Sequence, residues 1–450
     1  MQVVVVETPE LGDRSYLVHD GRVGFVVDPQ RDIERILTEV DRAGIRVTHV
    51  LETHIHNDYL TGGLALAGRL EAAYVVAAAD QVEFSRVPAV AGSEFGIGEL
   101  LVRALHTPGH TPNHLSYLVF EQGEPRAVLT GGSLLYGTVG RTDLISAELT
   151  DTLTRQQFHS ARRLMADLPD PTRVLPTHGF GSFCASSETS STGDGDMASE
   201  KRQNLAATCR GEDEFVATVV AGLGPYPSYY RFMAPLNRRG PTAVAEAQVE
   251  APGVEELRRR LEDGAWVMDI RPRREFARKH LAGSVGMELS PNYFSTYVGW
   301  LAPFADPITL IADGQEQLQT ARRDLMRIGL DRVEGSALGL GGDPSRLPTR
   351  SYPVVDFRGL ADSGAPGSSV LDVRQRDEWR RGHISGSQNI PIQDLPRRLS
   401  ELPTAELWVH CQSGYRASVA ASLMDRAGHS VVLIDDDFDK AHQSGLSIER

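Results

Sequence analysis

The sequence predicts a multidomain α/β protein: one large, layered, β-rich unit followed by two copies of a smaller α/β domain with parallel strands. Three observations predict it. The 450 residues exceed what one core serves, since domains usually run ~100–200 residues. The first half reads as many short apolar strands separated by turn residues, with a few helical stretches between them. The C-terminal part holds a pattern that occurs twice, near 254–286 and near 370–392.

Composition narrows the class further. A hydrophobic fraction of 41% and a charged fraction of 24% are ordinary for a globular chain, so a packed core is expected. The net charge of −14 argues against nucleic acid or an anionic membrane as a main partner. No apolar run reaches the ~20 residues of a membrane span. The segment MQVVVVETPE has no basic residues before its short apolar run, so a first strand is expected rather than a signal peptide. Three cysteines, Cys184, Cys209 and Cys411, form no paired framework, and a reducing cytoplasm is the expected compartment.

In chain order, QVVVVET, SYLVHD and RVGFVVDP read as strands. RDIERILTEVDRAG has helical spacing and ends at glycine, and RVTHVLET follows as a strand. AAYVVAA, LLVRALHT, LSYLVFE, RAVLTGG and TRVLPTHG are further strands, with a helix over about 150–167. Residues 185–199 are rich in Ser, Gly and Asp and predict a long loop. Helices near 200–207 and 212–223 close a domain over 1–245, and 245–252 reads as a linker. Two domains follow, over 250–345 and 350–450. In each an apolar strand ends in Asp, then come Arg, an acid–aromatic pair (Glu275-Phe276; Glu378-Trp379), a histidine and a small-residue turn.

The second copy carries Cys411-Gln-Ser-Gly-Tyr-Arg between the strand ELWVH and the helix SVAASLMDRAG. A short strand-to-helix loop points successive backbone N–H groups inward, which favours an anion and lowers the pKa of a thiol placed there. Cys411 is therefore the candidate nucleophile. Arg416 braces the loop and adds charge, and Gln412, Ser413, Gly414 and Tyr415 form the substrate cradle. With LDVR…DEW…GHISGSQNIP upstream, residues 350–450 resemble a rhodanese, a sulfurtransferase that carries sulfur as a cysteine persulfide. In the first copy Ala312-Asp313-Gly314-Gln315 stands where the cysteine is expected, so this domain is expected to lack catalysis and to serve packing or docking.

Histidines cluster just past strand ends in the first domain: His54 and His56 in ETHIHNDYLTGG, His110 in HTPGHT and His178 in THG. Asp58 and, in RTD, Asp143 stand in similar places. Several imidazoles converging from different segments point to a transition metal. His54, His56 and His110 are the candidate ligands, with Asp58 and His178 as secondary ones. These stretches resemble the metallo-β-lactamase superfamily, which implies an αββα sandwich over 1–245. Within it, ETHIHNDYLTGG, HTPGHTP and VGRTDL are most similar to the persulfide dioxygenases, some of which are fused to rhodanese domains. That resemblance implies one mononuclear non-haem Fe(II), a small thiol persulfide such as glutathione persulfide, O2, and a thiol or sulfite acceptor. Neither nucleic acid nor membrane is an expected partner, and a homo-oligomer is expected.

The sequence departs from that pattern at two positions. Tyr59 replaces the usual second histidine of the motif, and Gly132 replaces an aspartate ligand. Both fall on the second metal position of two-metal members, which disfavours a two-metal hydrolytic clamp. His56 then completes a three-histidine face, or water or another carboxylate fills the place. Such a face suits iron oxygenation and also Zn²⁺. The alternatives are therefore a zinc thioester hydrolase with an attached sulfurtransferase, and a sulfurtransferase with an inactive first domain. Arg141 resembles the family position that binds a substrate carboxylate, and a salt bridge to Asp143 is the competing reading. Cys184 and Cys209 are expected to be structural.

Overall fold

Period-two alternation builds the first unit. In the computed structural model, which describes residues 1–187, 195–241, 251–290, 292–340 and 347–450, two six-stranded sheets face one another across a shared core. The first sheet runs in chain order through Gln2–Thr8, Asp13–His19, Val23–Val27, Arg46–Leu51, Ala73–Ala77 and Val87–Ala89. The second is ordered Gly195–Asp196, Arg173–Pro176, Glu124–Gly131, Leu115–Glu121, Leu100–His106 and Glu94–Ile97. Tyr16, Val18, Phe25 and Val27 point inward to meet Tyr117, Val119, Leu129 and Leu175. Their neighbours Leu17 and Val26 point outward beneath the helix Glu34–Ala43. On the other sheet Leu118, Val128 and Val174 point outward beneath the helix Thr150–Asp167. Both faces of each sheet are covered, so the strands read as continuous apolar runs, and the layers are helix, sheet, sheet, helix.

One local expectation changes. The helix Met197–Gln203 begins inside the segment 185–199 read as loop, because the Asp196 carboxylate accepts the Ser199 amide and caps it. Residues 188–194 of that segment, and most of the 245–252 linker, lie outside the described residues.

The chain divides into two units, Met1–Ala245 with Met326–Gly329, and Glu246–Leu325 with Leu330–Arg450. The second unit holds two wholly parallel sheets. One is ordered Val285–Gly286, Trp266–Asp269, Ile308–Ala312, Val333–Leu338. The other is ordered Val354–Val355, Val431–Ile434, Leu407–His410, Val370–Asp372, Gln388–Asn389. The same corner is built twice. Asp269 takes the Arg271 fork, Arg271 reaches the Lys279 carbonyl, and His280 stacks on Phe276 at 4.1 Å. Asp372 takes the Arg374 fork, Arg374 reaches the Gly382 carbonyl, and His383 stacks on Trp379 at 3.7 Å. Among the described residues no helix is long and apolar enough to cross a membrane.

Candidate functional site

The segments that follow Val23–Val27, Arg46–Leu51, Leu100–His106, Glu124–Gly131 and Arg173–Pro176 gather at one end of the first unit's sheets. The buried Asp28 carboxylate ties three of them together. It accepts the Thr53 amide and hydroxyl, each at 2.7 Å, and the Thr177 hydroxyl. Burial alone would raise its pKa, but the His56 imidazole and these donors hold it below the usual range.

Each of four buried histidines has one ring nitrogen committed outward. The Thr53 hydroxyl donates its only proton to Asp28, so at 2.8 Å it accepts from His54 Nδ1–H and leaves a lone pair on His54 Nε2. His110 Nδ1 lies 2.7 Å from the Arg141 carbonyl, which only accepts, so His110 Nε2 also carries a lone pair. His178 Nδ1 faces Asp13 at 2.8 Å and Asp58 at 3.2 Å. His56 Nε2 faces Asp28 at 3.3 Å, Glu52 at 3.2 Å and the Tyr59 hydroxyl at 3.1 Å. This is the outer-shell pattern that orients imidazoles toward a metal.

The inner nitrogens converge. His54 Nε2 and His178 Nε2 are 3.3 Å apart. Two imidazoles bound at about 2.1 Å to one ion, at angles of about 90–109°, place their nitrogens roughly 3.0–3.4 Å apart. His56 Nδ1 and His110 Nε2 are buried without a hydrogen-bond partner, a costly state unless a ligand meets them. Donor atoms of His54, His56 and His178 lie within 4.8 Å of one another, as do those of His110, His178 and Cys184. The residues present therefore fit a metal ion, and His178 belongs to both groups, closer to the centre than its secondary rank in the sequence implied. Burial, and then the neighbouring histidines, hold His54 well below the usual imidazole range and push His110 down to about 3. Against the same burial, Asp28 and Glu52 push His56 up to about 9, and Asp58 with Asp13 raises His178.

Gly132 offers no donor and leaves no room for one. A Cβ there would lie 2.3 Å from His110 Cδ2. Gly132→Asp is thus expected to displace His110, costing about 1–3 kcal/mol in stability and lowering metal content. Thermal melting with elemental analysis checks this, and a variant that gains metal at unchanged Tm would contradict it. Tyr59 fills the space of the missing histidine and supports the remaining one: its ring stacks on His56 at 4.3 Å. Arg141 takes the salt-bridge arrangement. Its Nε and Nη2 hold Asp143 at 2.7 and 2.8 Å, and further N–H groups reach the Phe183 and Gly224 carbonyls. A substrate carboxylate would have to displace Asp143, and Asp143 itself stands on Arg141 rather than among the histidines.

Two residues escape the sequence reading. His114 is buried beside His54, but Thr107 and the Gly132 amide occupy both its nitrogens, so it is a support. Cys184 was expected to be structural, yet its sulfur stands with His110 and His178. Burial, then Asp58 and Asp13, raise its thiol pKa. Its one visible cue is its place in the glycine-rich loop THGFGSFC, just after a candidate ligand histidine. Cys209 lies in the outer core with Phe158 and Phe215, as expected.

In the second unit Cys411 follows the strand Leu407–His410 and is buried. The helix starts at Tyr415, three residues earlier than SVAASLMDRAG implied, so Tyr415 and Arg416 lie in its first turn. Its leading N–H groups lack intrahelical acceptors and face the loop. Gly414 has φ +88°, and a Cβ there would meet Asp435 Oδ1 at 2.2 Å, so the turn requires glycine. Arg273 and Arg274 hold Asp435 at 2.7 and 2.6 Å, and the Tyr415 hydroxyl donates to the Glu288 carbonyl at 3.0 Å. The first repeat therefore braces the loop of the second. Arg416 grips Glu378 with both Nη groups, at 2.5 and 2.8 Å. Gln412 lines a 520 Å³ cleft with Arg374, Glu378, Phe438 and His442, and the Ser413 carbonyl meets Arg273 Nη2 at 3.5 Å. In the first repeat Asp313 follows the strand Ile308–Ala312 at the place of Cys411.

Comparison with known proteins agrees with this architecture. Residues 11–178 match the metallo-beta-lactamase superfamily, and residues 356–444 match the rhodanese-like domain. A hydroxyacylglutathione hydrolase of Acidiphilium cryptum (strain JF-5) is 31% identical over 39% of this chain and 68% of its own length. Other curated relatives match over 46% and 48% of their length, so the chain spans about half of them. Among solved structures, a metallo-beta-lactamase from Staphylococcus aureus subsp. aureus COL superposes with TM-score 0.67 at 24% identity, over 75% of this chain and 98% of that one. ETHE1 from Myxococcus xanthus is 29% identical over 53% of this chain and 98% of that one, with TM-score 0.45.

Proposed function

Because the chain belongs to the metallo-beta-lactamase superfamily and carries a rhodanese-like domain after it, we propose that it is an enzyme of sulfane-sulfur metabolism that oxidises a small thiol persulfide to sulfite and exchanges sulfane sulfur through Cys411. The observation that carries this reading is two groups of inward imidazole nitrogens that share His178, in one chain with a buried cysteine held between a strand and a helix N-terminus. Overall, RSSH + O2 + H2O gives RSH + SO3²⁻ + 2 H⁺, with four electrons passing from the outer sulfur to O2. His54, His56, His110 and His178 would hold the metal. When bound, Fe(II) would supply the redox chemistry that unites O2 with the persulfide.

The chain's own groups then have distinct tasks. Asp13, Asp28, Glu52, Thr53 and the Arg141 carbonyl fix the ring orientations and keep the inner nitrogens available. The Cys411 thiolate attacks the outer sulfur of a donor such as thiosulfate. The S–S bond breaks, sulfite leaves and a Cys411 persulfide forms. A thiol then takes that sulfur and restores the thiolate. The N–H groups of the loop stabilise the anionic sulfur, with Arg416 adding charge through its Glu378-fixed position. One chain carrying both sites raises the local concentration of persulfide, whichever way sulfur flows. A reducing cytoplasm suits the reactive thiol.

The hydrolase names of the relatives favour a second reading, zinc-dependent thioester cleavage. Tyr59 and Gly132 weigh against it, since they remove donors from the second metal position. Oxygen uptake with glutathione persulfide separates the two. The expected result is one O2 consumed per sulfite formed, with no cleavage of a hydroxyacylglutathione thioester. Thioester cleavage without oxygen uptake would overturn the proposal.

A further inference from the structure

Cys184 is the residue of the first unit's nest that the proposed function leaves without a role. The segment that positions it also aims His110. Gly140 and Ala185 form a β-bridge, and the Arg141 amide donates to the Cys184 carbonyl at 2.8 Å. The Arg141 carbonyl in turn holds His110 Nδ1, so one short piece of backbone sets both side chains. The Cys184 sulfur and one ring nitrogen each of His110 and His178 lie within 4.8 Å of one another. Donors on opposite sides of one metal would stand about 4.4 Å apart, from ~2.3 Å to sulfur and ~2.1 Å to nitrogen. A small side-chain adjustment therefore lets all three meet one ion.

Two further observations point to a ligand at this place. His110 Nε2 is fully buried, carries a lone pair and has no hydrogen-bond partner. Both Asp58 carboxylate oxygens are also buried without one, beside His178. The Tyr230 hydroxyl stands 3.9 Å from the thiol sulfur and makes at most a weak sulfur hydrogen bond. Four imidazoles bring no negative charge to a cation, and position 132 has no room for a carboxylate. We propose that Cys184 Sγ is a metal ligand alongside His110 and His178, supplying the anionic donor that position 132 cannot. On metal binding the thiol proton leaves to solvent and an S–metal bond forms, with no change of oxidation state. A soft thiolate favours Fe, Co and Zn over Mg or Ca.

This inference rests on the reading that the first unit holds a metal, and the test reports on the two separately. The full chain carrying Cys209→Ser and Cys411→Ser retains Cys184 as its sole sulfhydryl. Its metal-free form is titrated anaerobically with Co²⁺. The expected result is one cobalt per chain, with an intense near-ultraviolet sulfur-to-cobalt band growing in step with binding. Adding Cys184→Ser should remove that band, keep the weaker visible bands of histidine-bound cobalt, and weaken binding by at least the roughly 10–100-fold that loss of an outer-shell partner costs. Cobalt bound without the sulfur band would overturn the role of Cys184 and leave the histidine nest standing. Absence of cobalt binding would overturn both. The band in the parent protein decides the matter even where Cys184→Ser fails to fold.

Discussion

Replacing Cys411 with serine abolishes sulfur transfer from thiosulfate to a thiol, while oxygen uptake with added glutathione persulfide continues. Loss of the nucleophile should cost at least about 10³-fold in transfer. The reason is chemical. Serine nearly matches the shape of cysteine in the buried loop, so the turn at Gly414, the Arg416–Glu378 pair and the Asp435 brace all persist. A hydroxyl, however, neither ionises near neutrality nor holds a sulfane sulfur. Uptake persists because the histidine nest is built wholly from the first unit. Parallel assays of thiosulfate-to-thiol sulfur transfer and of oxygen consumption check both halves. Equal loss of the two activities would show that the sites are not separate.

Replacing His178 with alanine is expected to remove the metal and also to destabilise the metal-free protein. His178 belongs to both donor groups, so its loss breaks each. It also stands between Asp13 and Asp58, facing them at 2.8 and 3.2 Å. Asp13, buried beside Asp58, has its pKa pushed up to about 8, so removing the ring leaves the Asp58 charge without its cation, and breaking such a buried pair typically costs about 3–5 kcal/mol. His54→Ala is the informative contrast. It deletes a ligand whose outer nitrogen meets only the Thr53 hydroxyl, so it leaves no carboxylate unpaired. It should lose metal with a much smaller fall in Tm. Melting temperatures of both metal-free variants, measured beside their metal content, test the assignment. Full metal retention in both would refute the ligand set.

Much of this architecture is legible in the chain. Strands such as SYLVH and LSYLVFE announce themselves because their alternate residues enter two different apolar layers. The candidate ligand histidines are legible because each stands just past a strand end. Their supports are not. Asp13 meets His178 across 165 residues, and Asp28 meets Thr177 across 149, contacts that no local spacing encodes. Tyr59 reads as a lost ligand until its ring is seen stacked on His56. Arg141 reads equally as a carboxylate binder and as the partner of Asp143 until Asp143 is found on its fork. Cys184 looks like one more buried thiol because the fold, not the spacing, places it beside His110.

The central claim is that the first unit holds one redox-active ion in an imidazole nest although position 132 supplies no carboxylate. Anaerobic loading of the full chain with Fe(II), removal of excess metal and elemental analysis test it most directly. The account predicts close to one iron per chain, lost in His54→Ala and retained in Cys411→Ser. A protein that retains no iron, or that takes up two ions per chain, would contradict it.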